Sequence, residues 1–70
     1  MRVISNDAVI IIVSEWFEEN YDLLFNEKPK SYKVSVDKED WVMVAAIFEG
    51  GSSDFAGVGN KYKFLWERGL

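Results

Sequence analysis

Residues 50–64, G-G-S-S-D-F-A-G-V-G-N-K-Y-K-F, place Gly50, Gly51, Gly57 and Gly59 ahead of Lys61. Glycines followed by a lysine can cradle phosphate, because backbone N–H groups close on the oxygens and the ammonium meets their charge. The spacing here does not serve that chemistry. A phosphate loop of the G-x-x-x-x-G-K-[ST] type needs lysine directly after its last glycine and a hydroxyl residue next. In this chain Asn60 separates Gly59 from Lys61, and Tyr62 follows. A G-x-G-x-x-G dinucleotide loop fails too, since Tyr62 stands where the third glycine belongs. The segment that follows alternates like a strand, so no helix N-terminus is expected to face an anion. Residues 50–60 are therefore expected to connect two strands, with glycines at positive φ. Such a connection is long for a hairpin, and long loops are often binding elements. Phe55 and Val58 lie inside it, expected either to plug one end of the core or to offer an apolar tip to a partner.

A second group of candidates is acidic. Glu15, Glu18, Glu19 and Asp22 follow the i, i+3, i+4, i+7 spacing of one helix face, and no lysine or arginine occurs from residue 3 to 27. Paired carboxylates can hold magnesium or divide acid and base roles, but only where they converge on a concave site that shifts their pKa values. A convex helix face offers neither, so no metal site is expected. The stripe is either a solvated face or an electrostatic surface for a basic partner, one that otherwise holds nucleic acid.

Catalysis finds little material. The chain has no histidine and no cysteine, which removes the commonest general base, the thiol nucleophile, zinc–thiolate sites and disulfides. Ser14, Ser31, Ser35, Ser52 and Ser53 have no histidine to activate them. The expectation is a non-enzymatic protein without cofactor.

Seventy residues make one domain, residues 1–70, near the lower size limit for a self-sufficient core. The composition suits that limit, at 49% hydrophobic and 16% aromatic residues. A net charge of −4 argues against general nucleic-acid binding, which depends on cations neutralising phosphates. The longest apolar runs, 8–13 and 41–48, fall far short of the roughly 20 residues that span a bilayer. The N-terminus does not resemble a secretory signal, so the cytoplasm is the expected location. With Met1 at its start and Leu70 at its end, the chain is expected to be a complete stand-alone product.

The elements that must position these residues can be read from periodicity. Residues 6–26 predict one amphipathic helix, capped by Asn6 or Asp7, with Val9, Ile12, Val13, Trp16, Phe17, Tyr21 and Leu24 on its apolar face. The β-branched run 8–13 would alone suit a strand, leaving a helix capped by Ser14 as the alternative. Pro29 stops the helix. Residues 32–36 alternate as a half-buried strand, 38–40 form a turn, and 41–49 are apolar on both faces. That last run suits a central strand, with a short buried helix as the alternative. In 61–67 the alternation predicts a third strand with Tyr62, Phe64 and Trp66 inward and Lys61, Lys63 and Glu67 outward. Arg2 to Ile4 could add an edge strand. The expected fold is α+β: one N-terminal amphipathic helix on a three-stranded antiparallel sheet (α-β-β-β), in two layers.

Two surfaces follow from that fold. Lys33, Lys61 and Lys63 would project from the sheet face away from the helix, where lysines serve solubility and block edge pairing. A nucleic-acid reader would also need stacking aromatics there, and Tyr62, Phe64 and Trp66 take the core phase instead. Nucleic acid is therefore not the expected partner. The apolar run 41–48 would leave one row uncovered, and exposed apolar rows on small proteins mark interfaces. The residues expected in a homodimer or partner interface are Ile10, Ile11, Val42, Val44, Phe48 and Leu65. The function expected from size and charge is binding to another protein with a basic surface, through Glu15, Glu18, Glu19, Asp22, Phe55 and Val58. An inhibitor of the kind phages direct at host defence fits that description. The alternatives are a homo-oligomeric module and nucleic-acid binding through the lysine-bearing sheet face.

Overall fold

The computed structural model of the chain describes residues 4–70. Its elements are α1 (Asn6–Glu19), a single 3-10 turn (Tyr21–Leu23), β1 (Ser31–Val36), β2 (Trp41–Ile47), β3 (Ser53–Asn60) and α2 (Lys61–Glu67). The strands form one antiparallel sheet in the order β1-β2-β3. Both helices pack on the same face of it, giving the α+β, two-layer arrangement the sequence predicts, with α2 as an additional element. No helix among the described residues is long and apolar enough to cross a membrane.

The helical phase wins over β-propensity in 8–13, since Val9, Val13 and Phe17 are buried together against Val42, Val44, Phe64 and Leu65. Helix α1 is capped by Ser5, not by Asn6 or Asp7: the Ala8 N–H donates to Ser5 Oγ at 3.2 Å. The helix is also shorter than the span 6–26. At Asn20 the backbone leaves the helical region, and its Nδ2 donates to the Trp16 carbonyl at 2.7 Å, closing the last turn. Leu24 is consequently exposed. Phe25 instead meets the far end of the sheet, edge-to-face with Phe48 at 5.3 Å.

The turn at 38–40 is where the sequence places it. Asp37 Oδ1 accepts from the N–H groups of Glu39 (2.8 Å) and Trp41 (3.0 Å), and Asp40 takes the left-handed conformation at φ 65°. The run 41–47 is the central strand, and the buried-helix alternative does not occur.

The third strand is where expectation and structure part. Residues 53–60 form β3, and the segment 61–67 is helix α2. The connection between β2 and β3 is only the tight turn at 48–52, where Gly50 and Gly51 adopt φ of 91° and 90°. Asn60 ends the strand and caps the helix, its Oδ1 accepting from the Tyr62 N–H at 3.0 Å. Helical spacing brings Lys61, Phe64 and Leu65 inward, whereas Trp66, expected inside, is 84% exposed. Gly57 eases this packing, because a Cβ there would crowd the Phe64 ring at 3.1 Å. The edge strand considered for Arg2 to Ile4 falls largely outside the described residues, and Ile4 itself is not in a strand.

Candidate functional site

Strand β2 sorts its two apolar rows by pleat. Val42, Val44 and Ala46 face the helices and are fully buried. Trp41, Met43 and Ala45 face the other way, beside Ser35 and Lys33 of β1. Among the described elements nothing covers that side.

β3 extends the uncovered face by an irregularity. Phe55 and Val58 are three residues apart, so in a regular strand they would point to opposite sides. The register shifts between Val44 and Ala45: Met43 pairs with Val58, Val44 with Gly57, and Ala45 with Phe55. Ala56 is the extra residue of this bulge and packs toward the core. The bulge thus places Phe55 and Val58 on the same face as Met43 and Trp41. Their exposures are 68%, 58%, 40% and 45% for Phe55, Val58, Met43 and Trp41. Together they form a continuous apolar surface with Lys33 at its margin.

Several expected site residues lie elsewhere. Phe55 and Val58 neither plug the core nor sit at a loop tip, since both are exposed on a strand. Val42 and Val44 cannot serve an interface row, because that phase of β2 is the buried one. Leu65 is buried in the core, and Phe48 is half-buried against Phe25. Ile10 is half-buried, and Ile11 alone of that set is exposed, on α1 away from the sheet. Of the lysines expected on the sheet face, only Lys33 is there.

Lys61 has a different job. It is 4% exposed, and its Nζ donates to the Ile4 carbonyl (2.9 Å) and Asn6 Oδ1 (3.1 Å) while pairing with Asp40 at 3.3 Å. One ammonium thus ties the start of α1, the β1–β2 turn and the start of α2. The glycine-to-lysine stretch does precede a helix after all, but its lysine is committed to the protein itself.

Glu15, Glu18 and Glu19 are exposed on the side of α1 opposite Val9, Val13 and Phe17, and Asp22 is exposed in the 3-10 turn. The ion pairs among the described residues are Lys61–Asp40 and Lys63–Glu67, so none of these acids has a cationic partner within the protein. Their side of the molecule faces away from the open sheet. The two halves of the expected partner site, acidic residues on one hand and Phe55 with Val58 on the other, therefore do not meet on one surface. Among the described residues no group of acids gathers as a metal site.

Two grooves have polar walls. One, of about 250 Å³, is lined by Glu18, Tyr21, Lys28, Lys30 and Tyr32, with Lys28 Nζ 5.8 Å from the Tyr21 ring centre. Burial chiefly, then Glu18 and Tyr21, push the Tyr32 phenol above its ordinary value of 10.0. The other, of about 300 Å³, runs between β3 and α2 and borders the open face through Trp41 and Val58. Sequence reasoning expected one uncovered row in 41–48 but assigned it to Val42, Val44 and Phe48, the opposite phase to the exposed Trp41 and Met43. It did not foresee the bulge that sets Phe55 and Val58 on one face, and it missed the second groove because 61–67 was read as a strand. No family model, no curated protein and no solved structure matches this chain.

Proposed function

We propose that this protein works by binding another protein, and that the open face of the sheet is its docking surface. The observation that carries this is the apolar surface of Trp41, Met43, Phe55 and Val58, left uncovered by either helix. Leaving such side chains in water has a cost of about 1.5–3 kcal/mol each relative to full burial, and contiguous exposed apolar patches on small proteins mark interaction sites. A bulge that brings a second apolar residue of β3 onto that face is the kind of feature that re-aims side chains at a functional surface.

The acidic side of α1 supports a second reading. Glu15, Glu18, Glu19 and Asp22 form a negative surface, and none of them is in an ion pair among the described residues. Such a surface suits a basic partner and would let the protein act as an inhibitor, competing with phosphates for a nucleic-acid-binding surface. The two surfaces point in opposite directions, so a single flat partner engages one of them.

The open face also alters the case for nucleic acid. Trp41 and Phe55 are stacking aromatics on the sheet face, which the expected strand phase did not provide. Lys33 is the only cation beside them on the strands, and the net charge of −4 repels a polyanion, so protein remains the favoured partner.

Capture from the native host extract, with identification of what is retained, separates these cases. The doubly substituted Met43→Ser/Phe55→Ser variant should lose the retained partner, while Glu18→Lys/Glu19→Lys should keep it. The reverse pattern would move the function to α1. Light scattering on the unmodified chain adds the remaining case: a dimer that becomes a monomer on Phe55→Ser makes the partner a second copy of the chain.

A further inference from the structure

The groove between β3 and α2 contains a guanidinium whose setting is unusual. The Arg68 guanidinium carbon lies over the Phe64 ring, 3.5 Å from its centre, with Trp16 at 5.2 Å and Phe17 at 5.6 Å. Its Nη1 donates to the Phe64 carbonyl at 3.3 Å, and its Nε–H is buried with no partner. Among the described residues no carboxylate lies within ion-pair distance of it. Burial holds its pKa below the ordinary value, an effect that Glu67 partly opposes. A partly desolvated cation without a counter-ion gains when an anion arrives to pair with it. The aromatic rings fix the plane of the fork in advance, so little entropy is lost when it binds.

The walls around it suit a particular occupant. Lys63 and Glu67 line the same groove and pair with each other at 3.9 Å. Two cations against one carboxylate leave one positive charge uncompensated. Trp41 and Val58, which belong to the open face, form the other wall, and Gly57 and Gly59 add no side chain to narrow it.

We propose that this groove receives a single carboxylate side chain, an aspartate or glutamate of the protein that docks on the open face, next to an apolar residue resting on Trp41 and Val58. The inference builds on the docking surface proposed above and specifies the chemistry of its partner. One carboxylate matches one uncompensated charge, whereas a phosphate backbone would meet the net charge of −4 of the whole chain. A bound carboxylate would reach the exposed side of the guanidinium in a charge-assisted contact.

The test uses 3-phenylpropionate as probe, with 3-phenylpropionamide as its neutral control, followed by amide and side-chain nitrogen–proton correlation spectra of the unmodified chain. The acid should shift the Arg68 Nε–H, the Gly57 and Gly59 amides and the Trp41 indole, saturating at about millimolar concentration as expected for so small a ligand. The amide should bind roughly tenfold more weakly, the difference a charge-assisted contact supplies. Glu67→Gln should strengthen binding of the acid and leave the amide unchanged, and Arg68→Gln should abolish the preference. Equal shifts from acid and amide, or none, would overturn the proposal without recourse to any variant. So would an octathymidylate strand displacing the acid from the same resonances, which would make the groove a phosphate site. If the groove fails while Met43→Ser/Phe55→Ser still releases the captured partner, the docking face stands and only the carboxylate falls.

Discussion

The two faces of β2 are nearly equal in apolar content, yet they have opposite fates. Val42, Val44 and Ala46 lie beneath α1 and α2, while Trp41, Met43 and Ala45 look out on an uncovered surface. The closed face is assembled from long-range ties: Phe17 meets Tyr32 and Phe64 at ring separations of 5.7 and 6.2 Å. The open face has cross-strand neighbours only. A chain this small has few apolar side chains to spare, and it places some of the largest where they add little to folding. Stability thus belongs to one face, the proposed docking role falls to the other, and substitutions should divide accordingly.

The largest expected effect is on the closed side. Phe17→Ala removes the ring at the centre of the core and should cost about 3–5 kcal/mol, enough to unfold most of the population in urea titration. Phe55→Ala, the same change on the open face, should stay within about 0.5 kcal/mol of the unmodified chain. Equal losses would erase the distinction. Next comes Lys61→Met, which leaves Asp40 and the Ile4 carbonyl without their buried donor and should cost about 1–3 kcal/mol. The neighbouring exposed Lys63→Met should cost less than about 0.5 kcal/mol by the same measurement. Ser5→Ala removes the cap of α1 and should cost about 1 kcal/mol in thermal unfolding.

The smallest effect sharpens the boundary between the layers. The Tyr32 phenol has a raised pKa in the folded chain, so its neutral form favours folding. That contribution is complete below about pH 10, the ordinary tyrosine value, and is lost as pH rises through the folded value. Tyr32→Phe should flatten the alkaline fall in stability relative to the unmodified chain. At neutral pH the variant should be no less stable, because the Tyr32 hydroxyl is buried without a partner.

Much of this fold was legible from periodicity. The apolar phase of 9, 13 and 17, the alternation of 32–36 and the Asp-Lys-Glu-Asp turn all point to what is observed. The segment 61–67 misled because its residues satisfy two periods. Tyr62, Phe64 and Trp66 alternate, but Lys61, Phe64, Leu65 and Arg68 also follow helical spacing, and Asn60 stands ready as a cap. Glycines at 57 and 59 argue against a strand on propensity alone, and they are tolerated because the Phe64 ring packs directly on them. The bulge at Ala56 left no sequence signal, and with it went any warning that Phe55 and Val58 share a face. Glu15, Glu18 and Glu19 are exposed on α1, as helical phase requires, whereas Asp22 lies past the helix end in the 3-10 turn, where the i+7 spacing no longer fixes its direction.

The central claim concerns which surface meets the partner, and resonance mapping on the complex addresses it most directly. The captured partner, once identified, is added to the chain labelled at methionine methyls, tryptophan indoles and backbone amides. The account predicts that the Met43 methyl and Trp41 indole signals shift with the amides of Phe55 and Val58, while those of Glu15, Glu18 and Glu19 stay in place. Shifts confined to the Glu15–Glu19 stretch, with Met43 and Trp41 unmoved, would contradict it.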